Sequence, residues 1–254
     1  MLPRRRLWQT ALRTRPDERE VRWIAAPLST GDTFERVLAA QPCYLVPDRL
    51  LEDTRIDADL DRFFDSADVA ARADACAPAF RERGYAALAR AIHPFHLGAL
   101  RIYTRRLLRT GAMKLGDSGD PRRYVSHNEP VARRFHERLT HVVERVTGVP
   151  IKPSYVYIAA YQSGAELRVH TDRAQCEYSI SLLVDFTPEP LGTSPWPLLL
   201  DVGEGIVTIR QCLGDALVYR GRCIPHRREK LPSGMTSTSI LFHYVDADFR
   251  GSLD

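Results

Sequence analysis

Lysine is scarce in this chain of 254 residues. Only Lys114, Lys152 and Lys230 supply it among 36 basic residues, and the rest are arginine. The net charge of +4 is weak for this size and argues against a broadly basic nucleic-acid-binding face. No apolar run approaches the roughly 18 residues of a membrane-spanning helix, so no membrane partner is expected. The opening Met1-Leu-Pro-Arg-Arg-Arg has charge but no apolar stretch behind it, so no secretory leader is expected either. Cysteines are few (Cys43, Cys76, Cys176, Cys212, Cys223), odd in number and without CxxC spacing. That speaks against a disulfide framework and a zinc knuckle, and makes a reducing cytoplasm the expected compartment. With 15 Gly and 17 Pro the chain is neither fibrous nor low in complexity.

What is present divides near Pro150. Residues 1–150 read as a mainly helical region of the same fold, and 151–254 as a strand-rich core. The first fifteen residues carry arginine and no acid, as a loose arm or a helix with Leu7, Trp8 and Leu12 on its apolar face would. Helices are predicted near 32–40, over 57–92 with breaks at Pro78 and Gly84, and over 98–110, closed by Gly111. The periodicity is clearest at 129–147, where Val131, Phe135, Leu139, Val142 and Val146 recur, with Asn128 as N-cap and Gly148 as C-cap. Strands are predicted at 154–161, 167–170, 177–186, 198–201, 205–210, 215–219 and 238–246. In 177–186, Ser179 and Ser181 alternate with apolar residues, as in a strand lining a polar cavity. Many short strands with Gly and Pro turns point to a double-sheet barrel or jelly roll, and outer helices make the class α+β.

Most of the eight histidines read as structural. His93 and His96 form an HxxH with no acid nearby, which fits surface or capping roles. His136 and His141 are five apart on one helix and do not share a face. His243 alternates with apolar residues and reads as packed. His170-Thr-Asp172 differs. Residues i and i+2 of a strand point to one side, so an imidazole and a carboxylate can converge on one cation. His226 can add a third ligand from a later strand. Two His and one Asp on one face of an ion leave the opposite face open, as in non-haem Fe(II) oxygenases.

Tyr161-Gln-Ser-Gly164 followed by His170-Thr-Asp172 resembles the Y-x-x-G…H-x-D signature of prolyl-hydroxylase-like 2-oxoglutarate/Fe(II) dioxygenases. Gly214-Asp-Ala-Leu-Val-Tyr219 resembles their turn and strand before the distal His. Leu231-Pro-Ser-Gly234 and the apolar Ser239–Val245 complete the order. The resemblance covers roughly 154–246. It implies a double-stranded β-helix, metal ligands His170, Asp172 and His226, Fe(II), 2-oxoglutarate and O₂ as requirements, and succinate and CO₂ as co-products. Halogenases of the family replace the Asp by a small residue, so Asp172 implies hydroxylation or a related C–H oxidation, here of an amino-acid-like, peptide or other small substrate.

One position departs from the family. The basic residue about ten places after the distal His, which holds the far carboxylate of 2-oxoglutarate, is replaced by Thr236. Arg228 shares strand parity with His226 and is the first substitute. Arg168 shares parity with His170 and is the second, with Tyr161 as a neutral donor; Arg220 and Arg222 follow behind Pro225. Two other function classes fit the same residues. One is a jelly-roll protein that binds a metal or small anion without oxygenase chemistry. The other is a nucleic-acid dealkylase, which the modest charge does not favour.

Overall fold

The computed structural model of the chain describes residues 54–254. The helix expected near 32–40 and the arm expected in the first fifteen residues lie outside them. Helices α1 (Thr54–Phe64) and α2 (Ala67–Arg83) and strand β1 (Tyr85–Leu88) occupy what periodicity reads as one broken helix over 57–92. Ser66 separates the helices, its hydroxyl accepting from Val69 N. Helix α2 runs through Pro78 and ends at Gly84, whose φ of 77° lets its N–H reach Phe80 O. Helix α3 (Pro94–Arg109) follows, with His93 as N-cap accepting from Phe95 N at 3.1 Å. The HxxH is therefore a cap plus a buried His96. Helix α4 (Pro130–Thr147) buries Val131, Phe135, Leu139, Val142 and Val146. Its N-cap is Glu129, whose carboxylate accepts from Ala132 N, and not Asn128. Asn128 instead pairs with the backbone of Val156.

The strands are β1, β2 (Lys114–Leu115), β3 (Arg123–His127), β4 (Ile151–Tyr161), β5 (Leu167–His170), β6 (Tyr178–Thr187), β7 (Leu198–Asp201), β8 (Ile206–Ile209), β9 (Ala216–Tyr219), β10 (His226–Arg228) and β11 (Thr236–Asp246). Seven of them form one antiparallel sheet in the order β1-β9-β6-β11-β4-β3-β2, and four form a second in the order β5-β10-β7-β8. From β4 onward the chain passes back and forth between the sheets, which is the winding of a double-stranded β-helix. Helix α4 packs on β4 and α3 on β6, so the helices cover the outer face of the large sheet. Strand β6 is buried on both faces from Tyr178 to Phe186, because helices lie on one side and the small sheet on the other.

Three strands precede Pro150, where no strand is expected from the sequence. Tyr85-Ala-Ala-Leu88 has the composition of a helix, but it pairs residue for residue with β9. Burial in a long-range ladder outweighs local preference there. Two clusters fill the space between the sheets. One gathers Ala159, Tyr161, Ala165, Phe186, Trp196 and Leu231; the other gathers Leu198, Leu200, Leu217, Tyr219 and Ile224. Among the described residues no helix is long and apolar enough to cross a membrane.

Two histidines are sealed in the helical layer. Burial, with His93 adding to it, pushes His96 down to about 4, and burial pushes His136 down to about 3 against its hydrogen bond to the His243 carbonyl. Both stay neutral in the fold, whereas in the unfolded chain each protonates near its ordinary value of about 6.5. The unfolded state therefore binds more protons below that pH, and stability falls as pH drops from about 6.5 towards 4. Each such group contributes a slope of about 1.4 kcal/mol per pH unit. Urea midpoints measured between pH 7 and 4.5 should decline. The decline should be shallower in His96→Phe, which suits a site ringed by Phe63, Phe95 and Phe135 where His96 Nδ1 has no partner. Equal slopes would show that His96 is not held neutral.

Candidate metal centre

The site is built where the two sheets meet at the ends of short strands. Strand β10 pairs with β5 so that His226 lies opposite His170. Their ring centroids are 4.3 Å apart. Asp172 does not continue β5; it follows the strand end, and its N–H donates to Gly221 O at 2.9 Å. Convergence of the HxD pair therefore comes from a turn held to the β9–β10 connection, and not from strand parity alone. Asp172 Oδ1 lies 3.6 Å from Nε2 of His170 and 3.6 Å from Nε2 of His226. One ligand atom from each residue lies within 4.8 Å of the others, and this is the single such cluster of His, Cys, Asp or Glu among the described residues.

The orientation of each ring follows from its other nitrogen. His170 Nδ1 faces Arg168 O at 2.8 Å, and His226 Nδ1 faces Ile224 O at 3.0 Å. A carbonyl only accepts, so in the neutral rings both Nδ1 atoms carry the proton and both Nε2 atoms present a lone pair to the centre. Burial, only partly offset by Asp172, lowers the pKa of His226 and favours that neutral form. Tyr219 Oη lies 3.3 Å from His226 Nε2; burial, then Asp172, holds its phenol well above the ordinary range. The site is open on one side: the His226 side chain is 2% exposed and that of His170 38%.

Asp172 is held from behind. Its Oδ2 accepts from Ser179 Oγ on β6 at 2.6 Å. Ser179 in turn lies 3.0 Å from Nδ1 of His243, which β11 places directly across from it. Burial, against an opposing pull from Asp172, takes His243 down to about 4 and keeps it neutral. Gly221 closes the pocket. A Cβ there would lie 2.2 Å from Asp172 Oδ2, 2.3 Å from Ser179 Oγ and 2.9 Å from Cys176 O.

Arg228 shares the buried face of β10 with His226, two residues along and therefore about 7 Å away at Cα. It is 5% exposed, and Nη1 donates to Trp196 O at 2.6 Å. The guanidinium lies 4.8 Å from the centroid of the Trp196 ring. Burial lowers its pKa, with Tyr161 and Tyr219 opposing, but an arginine keeps its charge under such conditions. No carboxylate among the described residues pairs with it. Tyr161 packs against the same indole at 4.9 Å, and its hydroxyl accepts from Arg123 Nη1 at 3.2 Å. Arg123 is itself neutralised by Asp117, which it meets through Nε and Nη2. Hydrogen bonds from Arg123 and Tyr157 overcome burial and hold Asp117 down at about 2.

The remaining candidates differ in position. The Arg168 side chain is 84% exposed beside Glu166, so the structure places it outside the centre, and only its carbonyl serves the site. Parity fails for it because the β5–β10 ladder shifts register there, so that Leu167 and not Arg168 lies opposite Arg228. Thr236 opens β11 opposite Thr187. Arg220 lies over Phe80 and Arg222 pairs with Glu177. Ser179, Gly221, His243 and Trp196 are absent from the sequence-based set. Ser179 and His243 have a weak signal there, as polar residues amid apolar strands. For Gly221 and Trp196 we find none, since their roles arise from contacts across the fold.

Gly221→Ala forces Asp172 or Ser179 to move. Overpacking of this kind costs about 1–3 kcal/mol. The variant should unfold at lower urea by that amount, and its crystal structure should show the Asp172 carboxylate turned away from Ser179. Unchanged stability and geometry would show that the turn yields without cost.

No protein-family model matches the chain, and no curated protein matches it in sequence. Solved structures do match. A Pseudomonas putida prolyl-4-hydroxylase aligns at 14% identity and TM-score 0.58, over 70% of this chain and 100% of its own. SnoN, a non-haem α-ketoglutarate-dependent epimerase from nogalamycin biosynthesis, aligns at 14% identity and TM-score 0.57, over 70% of this chain and 82% of its own. HygX from Streptomyces hygroscopicus, solved with nickel and 2-oxoglutarate, aligns at 13% identity and TM-score 0.54, over 68% and 86%. With two antiparallel sheets wound as in these structures and a His-Asp-His cluster at their junction, the chain has the double-stranded β-helix fold of the 2-oxoglutarate/Fe(II) oxygenases.

Proposed function

We propose that this protein is an Fe(II)- and 2-oxoglutarate-dependent oxygenase that hydroxylates a C–H bond of a small molecule. Its iron ligands are Nε2 of His170, Oδ1 of Asp172 and Nε2 of His226. The observation that carries this reading is Arg228. A buried cation without a carboxylate partner is costly unless an anion from outside completes it. This one shares the buried face of His226 in a three-residue strand. A dicarboxylate whose keto-acid end goes to the metal has its second carboxylate to place, and Arg228 is the counter-charge within reach.

The donor set fits ferrous iron. Two neutral imidazoles and one carboxylate suit it, and the nearby thiol of Cys176 is engaged with Tyr155 Oη at 3.1 Å. With 2-oxoglutarate and O₂, bound iron supplies the oxidising power, and succinate and CO₂ leave as co-products. The protein's own groups do the rest. The carbonyls of Arg168 and Ile224 hold the imidazoles on target. Ser179 occupies Oδ2 of Asp172, so that Oδ1 faces the metal. Trp196 fixes the guanidinium of Arg228 by its carbonyl and its ring. Tyr161 accepts from Arg123 and so keeps its own proton to donate to the same carboxylate. The exposed edge of His170 marks the side from which a substrate approaches.

The neighbours support a small-molecule substrate. SnoN is solved in complex with Fe³⁺, α-ketoglutarate and nogalamycin RO, and HygX with nickel, 2-oxoglutarate and hygromycin B. Asp172 leaves the triad complete, which supports hydroxylation over the halide-accepting variant of this chemistry.

Arg228→Ala should raise the apparent KM for 2-oxoglutarate steeply and spare metal binding. Loss of one partner of a buried pair costs about 3–5 kcal/mol, or roughly a hundred- to several-thousand-fold in affinity. Succinate formation in air with Fe(II) is the readout, and an unchanged KM would remove Arg228 from the anchor. Asp172→Ala should abolish succinate formation and weaken Fe(II) binding. If wild-type protein binds metal and 2-oxoglutarate but forms no succinate with any substrate offered, the jelly roll is a binding protein and the oxygenase reading fails.

A further inference from the structure

We infer that His243 is a positioning residue for the metal centre, acting through Ser179 to decide which oxygen of Asp172 meets the metal. The inference rests on the metal-site reading above and extends it to residues on β6 and β11 that touch no ligand position themselves.

Proton bookkeeping gives the relay its direction. Ser179 has one hydroxyl proton. The ionised Asp172 carboxylate can only accept, so the 2.6 Å contact from Oγ to Oδ2 uses that proton. At the 3.0 Å contact Ser179 must then accept, and His243 Nδ1–H is the donor. The chain runs one way, from His243 through Ser179 to Asp172. Each bond fixes the next, since a serine hydroxyl that accepts from one side has less freedom to rotate away from the other.

His243 is built to hold that role. It is 4% exposed, and its ring lies 4.6 Å from that of Tyr155. The ladder between β11 and β4 skips it, with a register shift between Phe242 and Tyr244. Its carbonyl instead accepts from His136 Nε2 at 2.8 Å and lies 2.9 Å from Ser154 Oγ, whose one proton is shared with Gln175 O at 2.6 Å. The bulge itself is on β4, where Ser154 and Tyr155 together stand against the single residue His243, while on its other edge β11 keeps an unbroken ladder that sets His243 opposite Ser179. Gly221 completes the enclosure, leaving the carboxylate no room to swing backwards. With Oδ2 bound and enclosed, Oδ1 alone faces the two imidazoles. Asp172 would then offer a bound metal a single oxygen, Oδ1.

The test measures Co(II) binding to the full chain by calorimetry, together with the visible absorption of bound Co(II), which reports coordination number. The variants are Ser179→Ala, His243→Leu, their double, His243→Asn and Asp172→Ala. Outer-sphere partners of metal ligands are typically worth about 10–100-fold in affinity. Ser179→Ala and His243→Leu should each weaken Co(II) by about that much and alter the absorption spectrum. Because both act through one path, the double variant should be no weaker than Ser179→Ala alone, within about threefold. His243→Asn places an amide N–H near the Nδ1 position and should recover most of the affinity. Wild-type Co(II) affinity in His243→Leu, or losses that multiply in the double variant, would overturn the relay. Ser179→Ala removes a single oxygen, so unchanged affinity and spectrum in that variant would overturn it even if His243→Leu fails to fold. Asp172→Ala separates the two levels. If it binds Co(II) as wild type does, the metal-site reading has failed; if it does not while the relay variants bind normally, the relay alone has failed.

Discussion

The centre depends on the pairing of β10, a strand of three residues, between β5 and β7. Its register against β5 sets His226 opposite His170. Its twofold alternation sets Arg228 on the same buried side as His226. Its pairing with β7 brings Leu200 and Leu199 alongside and closes the apolar floor around Leu198, Leu200 and Tyr219. A slip of one residue would turn both His226 and Arg228 to solvent and leave Arg227 inside. Register is enforced at both ends. Ile224 is buried ahead of it, and Trp196 Nε1 donates to Glu229 O beyond it.

Much of this was legible along the chain, and the reasons differ by element. Helix α4 announces itself by apolar spacing, because its buried side packs on β4 and on helices α1 and α2 while Arg133 and Glu137 stay exposed. Strands β4 to β9 lie within a few residues of their expected bounds, since alternation and turn residues bracket them. His170, Asp172 and His226 stand out through residue type and order. What periodicity conceals is whatever depends on a partner far along the chain. Tyr85-Ala-Ala-Leu88 is a strand only because β9 lies beside it. Asp172 reaches the centre only because Gly221, 49 residues later, offers a carbonyl and the space of a missing Cβ. Trp196 sits in a proline-rich loop with no local sign that its carbonyl meets a guanidinium.

The buried charges on the two sides of the large sheet are arranged unequally. Arg123 has Asp117 beside it, and Asp185 is met by Arg101 and Arg105 from α3. Arg123 and Asp117 cancel one another, and Glu189, which also meets Arg101, balances the second arginine around Asp185. Arg228 alone faces a carbonyl and an aromatic ring, which orient a cation without cancelling it. The difference between an arginine paired with a carboxylate and one that faces only a carbonyl and a ring therefore lies in the partner, and an arginine-rich composition does not reveal it.

The short strands that flank the large sheet have a bearing on what its edges expose. A sheet edge with unpaired N–H and C=O groups recruits other chains. Here β9 is covered by the four residues of β1, and β4 by β3 and then the two residues of β2. All three covering strands come from before Pro150. A fragment beginning at Pro150 would keep the His-Asp-His residues but bare the apolar edges of β4, 11 residues long, and of β9, 4 residues long. Such a fragment would tend towards edge-to-edge association, so the early strands act as guards against aggregation of the half that carries the His-Asp-His cluster.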